Sequence, residues 1–366
     1  MGRNILHILL GVYKEEIGQA FVSYTRVLTQ LGEVTCAVGE DVVDAVSERL
    51  ALTLTAQQLY VLGCGCFPSQ VSIAIELRRI ITSRNINIII AHESPSFRMA
   101  KLAVLGKKIK IILVRHTDYQ SVFSALLSGL SADVVIGTHR GVVSKISKFN
   151  NRSYCIYNPV QICENASFKI WNHKQVKSIG ENPTVNIGFF GKPGHDGGIH
   201  VLIKAVGLLM RGERLNCKLV VHESGKHLHT FINMAKMHNL HNAYVLHHNA
   251  HDKYQFFNQV HILCVPMIKD GFNSVILEAM SQKVPVLASD VSGVRDIIKD
   301  GETGFLFSPR NFHELANKIE AIISNVHDVG EVVDNAHDKC STKYSIAYLT
   351  SELQRIINLN WGIKKV

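Results

Sequence analysis

The sequence predicts an α/β fold made of two domains, each built around a parallel β-sheet. Short apolar runs alternate with amphipathic segments along most of the chain, which is the pattern of buried strands and covering helices. The pattern is lost between 163 and 183 and restarts at 184. With 366 residues, the chain also exceeds the ~250–300 residues at which single hydrophobic cores stop growing.

The first half of the chain predicts one complete sheet. Segments such as 20–32 and 68–84, which lie between apolar runs, have the residue spacing of helices. Residues 155–162 predict the last strand and the exit from the sheet, so we predict an N-terminal domain over 1–165 and a linker over 166–183. The six earlier strands are predicted at 5–11, 34–40, 58–64, 86–92, 109–116 and 132–138.

The second half predicts a similar domain over 184–341. Neither half contains the G-x-G-x-x-G fingerprint of dinucleotide-binding sheets. The tail, 341–361, has apolar residues at helical spacing and predicts one helix. The other predicted elements are strands at 184–191, 217–222, 243–248 and 261–266 and helices at 198–209, 274–283 and 311–323.

The composition describes a folded globular protein and excludes several classes. Hydrophobic residues make up 46% and charged residues 19%, which does not fit a disordered chain. No apolar run approaches the ~18 residues of a membrane-spanning helix, and the N-terminus resembles a first strand more than a signal peptide. Eight cysteines without a CxxC pair are typical of reduced thiols, so we expect a cytoplasmic protein.

The net charge of +9 indicates a polyanionic partner. No nucleic-acid-binding motif is present, so we expect no nucleic acid. Anionic membrane lipids, a phosphorylated lipid acceptor or a nucleotide would fit, and a peripheral location at the inner face of the cytoplasmic membrane is one expectation. A solvated surface kept for solubility explains the charge equally well. The basic stretch consists of Arg98, Lys101, Lys107, Lys108 and Lys110.

The segment KDGFNSVILE, 269–278, is the most informative part of the sequence. A buried strand precedes it and a helix follows, so Asp270 is predicted to lie in a glycine-bearing loop and Glu278 one turn into the helix. Free N–H groups at the helix start form an anion site. Two acids around a phosphate-sized site suit a ligand with a diphosphate between two hydroxyl-rich groups, such as a nucleotide sugar.

This segment resembles the acid-x7-acid signature of retaining family-4 glycosyltransferases, with Asp270 where Glu is commoner. The resemblance continues through 284–307 and 311–323, and it implies the GT-B fold, in which two Rossmann-like domains face each other across a cleft. It also implies that the last helix, within 342–366, crosses back onto the N-terminal domain. Residues 106–139 look faintly like lipopolysaccharide-core transferases, which suggests a polysaccharide or lipid-linked acceptor.

The resemblance assigns roles to the residues of this signature. Glu278 is expected to hold the ribose hydroxyls and Asp270 the hydroxyls of the donor sugar. Gly271 belongs to the turn between them, and Asn273 stands where the family usually has glycine. The diphosphate is expected on the backbone N–H groups of Phe272, Asn273, Ser274 and Val275.

A glycine-rich loop, 188–200, follows the first strand of the second half. Gly191 and Gly194 allow the backbone to approach an anion, and Lys192 adds a positive charge. In the related enzymes a second basic residue stands where this chain has Gly197, so one expected cation on the diphosphate is missing. His195, Lys226 and Arg295 are candidates to replace it. An ordinary glycine-rich turn remains the alternative.

Several histidines are candidate ligand contacts. His116 ends a predicted strand where these enzymes place a histidine that contacts the donor sugar, and His92 is expected to open onto the same cleft. Arg115 is placed to approach a phosphate. By the same resemblance, His247 is expected beside the nucleobase, although a surface histidine without function is equally compatible with the sequence.

The resemblance implies a UDP- or GDP-linked sugar donor and transfer with retention. No D-x-D motif is present, so we expect no cofactor, no metal and charge neutralisation by Lys192 and the helix N-terminus. Two alternatives stay open. A catalytically weakened sugar-nucleotide-binding or scaffold protein would explain Gly197, and a sugar phosphorylase would cleave with phosphate and need no nucleotide.

Overall fold

In the computed structural model the chain forms two compact units, Met1–Pro159 with Ile346–Val366, and Val160–Ser345. Each unit is described separately below. The structure describes residues 3–11, 15–63, 69–116, 126, 129–163, 184–191, 196–211, 216–222, 228–238, 240, 244–247, 253–268, 274–324 and 329–362.

The first unit contains a seven-stranded parallel sheet in the order β3-β2-β1-β4-β5-β6-β7. Its central strands are near-continuous apolar runs, because helices cover both faces of the sheet. The strands are β1 (Asn4–Leu9), β2 (Glu33–Gly39), β3 (Leu59–Leu62), β4 (Ile88–His92), β5 (Lys110–Arg115), β6 (Val134–Gly137) and β7 (Ser153–Cys155).

The helices of the first unit connect successive strands and build a core on each face. One core is centred on Phe21 and Tyr24, both fully buried, and the other on Leu77 and Ile89. A 3₁₀ helix, Ala56–Gln58, precedes β3. The α-helices are α1 (Glu15–Thr29), α2 (Glu40–Leu50), α3 (Ser69–Ser83), α4 (Glu93–Ala103) and α5 (Arg140–Ile146).

The second unit contains a six-stranded parallel sheet in the order β10-β9-β8-β11-β12-β13. The strand order changes direction between β8 and β11, and ligands of open parallel sheets bind at the carboxyl ends of strands at such a point. The strands are β8 (Val185–Phe190), β9 (Cys217–His222), β10 (Tyr244–His247), β11 (Ile262–Val265), β12 (Val286–Ser289) and β13 (Phe305–Phe307).

The helices of the second unit enclose its own core, which includes the fully buried Phe231 and Ile319. Asn311 caps one of them, because its side-chain oxygen accepts a hydrogen bond from the backbone N–H of Glu314. The helices are α6 (Ile199–Arg211), α7 (Leu228–Met237), α8 (Lys253–Gln259), α9 (Ser274–Ser281), α10 (Ser292–Arg295), α11 (Phe312–Ile323) and α12 (Val329–Lys343).

The tail forms a separate helix, α13 (Ile346–Trp361). Its apolar face, including Leu353 and Ile357, packs into the core of the first unit. The sequence predicted one helix over 341–361, and this is wrong at its start, because α12 ends at Lys343. No helix in the described part of the chain is both long and apolar enough to cross a bilayer.

The predicted α/β class with two parallel sheets is confirmed. The predicted domain boundaries at 165, 184 and 341 stay predictions. Residues 164–183, which include the predicted linker, lie outside the described residues.

Candidate functional site

Three histidines of the first unit form a continuous hydrogen-bonded chain across three neighbouring strands. His7 lies in β1, His92 ends β4 and His116 follows β5. His7 Nε2 is 2.7 Å from His92 Nε2, and His92 Nδ1 is 2.8 Å from His116 Nε2. The inner end is Thr25, whose Oγ1 is 2.9 Å from His7 Nδ1, and the outer end is Asn158, whose Nδ2 is 3.3 Å from His116 Nδ1.

Burial holds all three imidazoles in the neutral form. Desolvation, followed by charge repulsion from the neighbouring histidines, lowers the pKa values of His7 and His92 well below the usual value. Desolvation also lowers the pKa of His116 to about 4, although the nearby Glu93 carboxylate opposes this shift. The expectation that His92 opens toward a ligand is wrong, because its side chain is fully buried between the other two rings.

Glu93 fixes the backbone around the outer histidine. Its φ of +64° lies in the left-handed region, which costs a non-glycine residue roughly 1–2 kcal/mol. In this conformation its carboxylate accepts the backbone N–H of His116 at 2.8 Å and pairs with Arg115 at 2.5 Å. Arg115 also donates to Ser94 Oγ at 2.7 Å. Arg115, predicted to approach a phosphate, is therefore held inside the unit by an acid.

The second unit brings two sequence-predicted loops together at the carboxyl ends of β8 and β11. The backbone N–H of Ile268 donates to the carbonyl of Asp196 at 3.0 Å. Gly198 has a φ of +71°, and a Cβ there would lie 1.7 Å from the carbonyl oxygen of Pro266. Only glycine fits this position, because backbone and not a flexible side chain occupies the space. Gly191 also has a positive φ, +136°.

Glu278 lies one turn into α9, which begins at Ser274. Both its carboxylate oxygens are 3.4 Å from Lys253 Nζ, which comes from α8. Val275 is buried against the sheet, whereas Glu278 stays partly exposed. A partly exposed carboxylate therefore lies one turn from the start of a helix, and the role that the sequence predicts for Glu278 stays a prediction.

An aromatic surface lies beside this carboxylate. Lys253 Nζ is 5.3 Å from the centre of the Phe190 ring, which ends β8. Phe190 stacks on His222, which ends β9, with ring centres 4.2 Å apart and an angle of 10° between the planes. His222 is buried, so the part of this stack that remains exposed belongs to Phe190. His247 ends β10 and pairs in register with His222. The side chain of His247 lies outside the described part of the structure.

The remaining predicted site residues lie outside the described residues. Two of the three candidate replacements for the cation missing at Gly197, His195 and Lys226, are among them. Arg295 itself is exposed and binds Asp290, with Nη2 2.8 Å from Oδ2. The side-chain hydrogen bond from Arg295 is the main cause that lowers the pKa of Asp290. The residues outside the description are Lys192, Gly194, His195, Lys226, Asp270, Gly271, Phe272 and Asn273.

Sequence reasoning missed the contacts made by His7, Glu93, Lys253, Phe190 and His222. The one signal it could have used is position, because four of the five lie at the carboxyl end of a strand or at the start of a helix. Within the described ranges, no group of three or more His, Cys, Asp or Glu side chains is arranged to hold a metal ion.

Comparison with known proteins gives one matching family. Residues 170–338 match the family described as Glycosyl transferases group 1. The Staphylococcus aureus protein named capsular polysaccharide biosynthesis glycosyltransferase CapM is 26% identical over 227 residues, which are 60% of this chain and 58% of that protein. The match thus spans less than two thirds of this relative's length.

Solved structures similar to this chain cover nearly all of it. A glycosyltransferase from Rickettsia africae has a TM-score of 0.82 at 15% identity, covering 99% of this chain and 100% of the other. Anabaena HepE, solved in complex with UDP and glucose, has a TM-score of 0.77 at 16% identity, covering 98% and 100%. At these identities the similarity establishes the fold.

Proposed function

The chain belongs to the glycosyl transferases group 1 family, which it matches over residues 170–338, and has the GT-B fold; on this premise we propose that it is a retaining glycosyltransferase. It takes a hexose from a nucleotide sugar and transfers it to a hydroxyl of an acceptor. The observation that carries this proposal is the position of Glu278, an accessible carboxylate at the start of α9, beside the joined loops that follow β8 and β11.

The donor is proposed to carry UDP. The support is the presence of UDP in the complex of Anabaena HepE, a protein of the same fold, and the partly exposed Phe190 ring near Glu278. A GDP-linked sugar is the second choice. In this proposal Glu278 accepts hydrogen bonds from the two ribose hydroxyls, and the nucleobase lies toward the strand ends that carry His222 and His247.

The diphosphate is proposed to bind at the start of α9. The backbone N–H groups of Ser274 and Val275, together with those of the preceding turn, would donate to it, and Lys192 would supply the cation. Gly191 would allow close approach of the backbone, and Asp270 would hold the sugar hydroxyls. The remaining donor-binding residues of the proposal are Gly194, Gly271, Phe272 and Asn273.

The chemistry is proposed to need no metal and no protein nucleophile. The acceptor hydroxyl attacks from the face that the phosphate leaves, and the departing phosphate receives its proton. The protein contributes positioning and fixed dipoles at the diphosphate. His116, held neutral at physiological pH, contacts the donor sugar as a hydrogen-bonding group and adds no positive charge.

The acceptor is proposed to be a polysaccharide or a lipid-linked glycan, including lipopolysaccharide-like ones. The support is the capsular polysaccharide named in CapM, the faint lipopolysaccharide-core resemblance of 106–139 and the basic stretch 98–110. A protein that works on such acceptors would be cytoplasmic and would contact the anionic inner face of the membrane. Each cation near that surface contributes about 1 kcal/mol.

A catalytically weakened binding protein is the second candidate, and Gly197 favours it. With glycine in place of the second cation, the departing diphosphate loses one electrostatic partner. Such a protein would bind a nucleotide sugar and release no nucleotide.

The test measures donor binding by calorimetry and nucleotide release with UDP-, GDP- and ADP-sugars. Glu278→Gln keeps the shape of the side chain and removes its charge. Hydrogen bonds to a charged group contribute about 1.5–3 kcal/mol, so we expect the variant to bind its donor roughly 10- to 150-fold more weakly. We expect UDP-sugars to bind the unmodified protein and to release UDP when acceptor is present.

Glu302→Gln is the matched control, because Glu302 is exposed in the same unit and, among the contacts described, pairs only with Lys299, three residues earlier in the same turn. It should leave affinity unchanged. Binding without nucleotide release, even with acceptor extracts, would select the weakened protein. Absence of binding to every nucleotide sugar would reject both candidates.

A further inference from the structure

The hydrogen-bonded chain of side chains from Thr25 to Asn158 has a donor-to-acceptor direction, and its buried end defines that direction. Thr25 Oγ1 is 2.9 Å from the carbonyl oxygen of Phe21, and a carbonyl only accepts hydrogen bonds. The hydroxyl proton of Thr25 is therefore donated to Phe21. Thr25 must then accept from His7, which places the single ring proton of neutral His7 on Nδ1.

This assignment propagates through the other two rings. With its proton on Nδ1, His7 offers a lone pair at Nε2, so His92 must donate from Nε2 over the 2.7 Å contact. His92 then accepts at Nδ1, and His116 must donate from Nε2 over 2.8 Å. A neutral imidazole has one donor and one acceptor, so each choice fixes the next.

The outer end agrees with the buried end independently. The amide nitrogen of Asn158, a donor, faces His116 Nδ1 at 3.3 Å, which requires a lone pair on that nitrogen. The contact is long for a hydrogen bond, and the other amide atom, Asn158 Oδ1, is buried with no hydrogen-bond partner among the described residues. A hydroxyl that donates to His116 Nδ1 and accepts from Asn158 Nδ2 would replace this long contact with two shorter hydrogen bonds, while Oδ1, an acceptor, would need a separate donor.

We propose that His7 and His92 are positioning residues that fix His116 in the Nε2–H tautomer, so that His116 Nδ1 accepts a hydrogen bond from a hydroxyl of the donor sugar. The hydroxyl lies beside this contact, where it donates to His116 Nδ1 and accepts from the Nδ2–H of Asn158. This rests on the proposed function, because it names the donor sugar as the ligand. The polarity of the chain itself does not depend on the ligand.

The ordinary alternative is that the three histidines, of which His7 and His92 are fully buried and His116 is partly exposed, are satisfied structural residues. Hydrogen bonds running in the opposite direction would satisfy the three rings equally well, if the Thr25 hydroxyl pointed toward His7 and the Asn158 amide rotated. His116 Nδ1 would then be a donor. The two polarities differ in the proton position on every ring, so the proposal makes a statement about each histidine separately.

Nuclear magnetic resonance on protein with ¹⁵N-labelled histidine tests the polarity without any ligand. Two-bond couplings between ring nitrogens and carbon-bound protons identify the protonated nitrogen. At neutral pH we expect a proton on Nδ1 of His7 and on Nε2 of His92 and His116. A proton on Nδ1 of His92 or His116 would overturn the proposal.

His7→Phe tests whether the inner ring controls the outer one. Phenylalanine keeps the stacking on Phe21, whose ring centre is 3.9 Å from that of His7, but accepts no hydrogen bond. His92 then has no acceptor for its Nε2 proton, and we expect the proton to move to Nδ1 and the tautomer of His116 to reverse. Tyr24→Phe is the matched control, because the Tyr24 hydroxyl is buried beside His92 and has no hydrogen-bond partner in the part of the chain that the structure describes. It should leave all three tautomers unchanged.

The functional measurement uses the UDP-sugar that binds best and analogues with one sugar hydroxyl replaced by fluorine, which cannot donate. We expect one analogue to bind the unmodified protein about tenfold more weakly, the effect of one lost hydrogen bond. In His7→Phe, where His116 Nδ1 is expected to carry a proton, the same analogue should bind less than about threefold more weakly than the parent UDP-sugar. Equal discrimination in both proteins would overturn the positioning role.

The tautomers of the histidines and the identity of the ligand are tested separately. If no nucleotide sugar binds, the proposed function and the sugar as ligand are rejected, while the histidine spectra still decide the polarity. If a sugar binds and the spectra show the opposite tautomers, the proposed function stands and the inference fails.

Discussion

The two candidate sites lie at the carboxyl ends of similar parallel sheets and are built in opposite ways. In the first unit, His7 and His92 are fully buried, uncharged and bonded to each other at short distances. In the second, Glu278 and Lys253 are charged, partly exposed and 3.4 Å apart. The first site is thus held rigid by its own hydrogen bonds, whereas the second is held by backbone, and its charges are available to a ligand.

This difference predicts where each unit is sensitive. Neutral rings in a closed chain should respond to acid, because protonating any of them destroys a hydrogen bond. A site supported by loop backbone should respond to added side-chain volume. Loosely paired charges should affect stability little and ligand binding more.

The largest effect is expected from Gly198→Ala. A Cβ at this position would lie 1.7 Å from the carbonyl oxygen of Pro266, and the φ of +71° is unfavourable for alanine. Neither the backbone contact nor the dihedral can relax without separating the two loops. We expect the free energy of unfolding to fall by more than about 4 kcal/mol, measured by urea denaturation, and donor binding to be lost.

Gly207→Ala is the matched control in the same unit. Gly207 lies within α6, and a Cβ there would have its nearest neighbours at 3.6 Å, an ordinary contact. Alanine in a helix interior should raise stability by about 0.5–1 kcal/mol. Equal effects of the two substitutions would contradict the claim that backbone at Pro266 supports this site.

Much of the fold could be predicted from the sequence because buried parallel strands are continuous apolar runs. Ile88–His92 and Lys110–Arg115 lie within predicted strands, and the helix predicted at 68–84 agrees with α3. The break between α12 and α13 could not be predicted, because STKYS, 341–345, contains neither glycine nor proline. In the structure the carbonyl of Tyr344 accepts the N–H of Val160, a contact remote in sequence.

The candidate sites divide in the same way. Glu278 could be found because its neighbours in the sequence carry the signature. The histidine chain could not, because His7 and His92 are 85 residues apart and meet only through the pairing of β1 with β4. The left-handed conformation of Glu93 was equally hidden, since glutamate has no preference for it and tertiary contacts impose it.

Acid should destabilise the first unit through the histidine chain. Folding lowers the pKa of His116 from 6.5 to about 4 and those of His7 and His92 in the same direction. Below pH 6.5 the unfolded chain therefore binds protons that the folded unit excludes, and stability falls as the pH falls. The ionisable groups that act on the rings in the described residues include Glu93, Arg115, His139 and Tyr24. Cys36 contacts Thr25 at the inner end of the hydrogen-bonded chain.

The measurement compares urea unfolding of the unmodified protein and His7→Phe between about pH 5 and 7.5. Each excluded proton contributes about 1.4 kcal/mol per pH unit, so the variant should show a slope smaller by about that amount. Tyr24→Phe should keep the original slope. An unchanged slope in His7→Phe would show that folding does not shift the pKa of His7 and would contradict this prediction.

The smallest effect on stability is expected from Lys253→Gln. The pair with Glu278 is long and a fifth to a quarter exposed, so its loss should change the free energy of unfolding by less than about 1 kcal/mol. The ligand should respond more strongly. If Lys253 adds positive potential beside the diphosphate, donor affinity should fall by up to about tenfold, and less so at high salt, where the charge is already screened.

Lys283→Gln separates the two consequences. The Lys283 side chain is as exposed as that of Lys253, 25%, and its pair with Asp334 is shorter, at 2.8 Å. Because its ion pair is shorter, Lys283 should contribute more to stability than Lys253. Its partner Asp334 lies in α12, and the described side-chain contacts of Lys283 do not include Glu278. Lys283→Gln should therefore leave donor affinity unchanged. If the two variants bind the donor equally well, Lys253 is an ordinary surface lysine. If only Lys253→Gln weakens binding, and salt abolishes the difference, then the charge that Gly197 does not supply comes from α8.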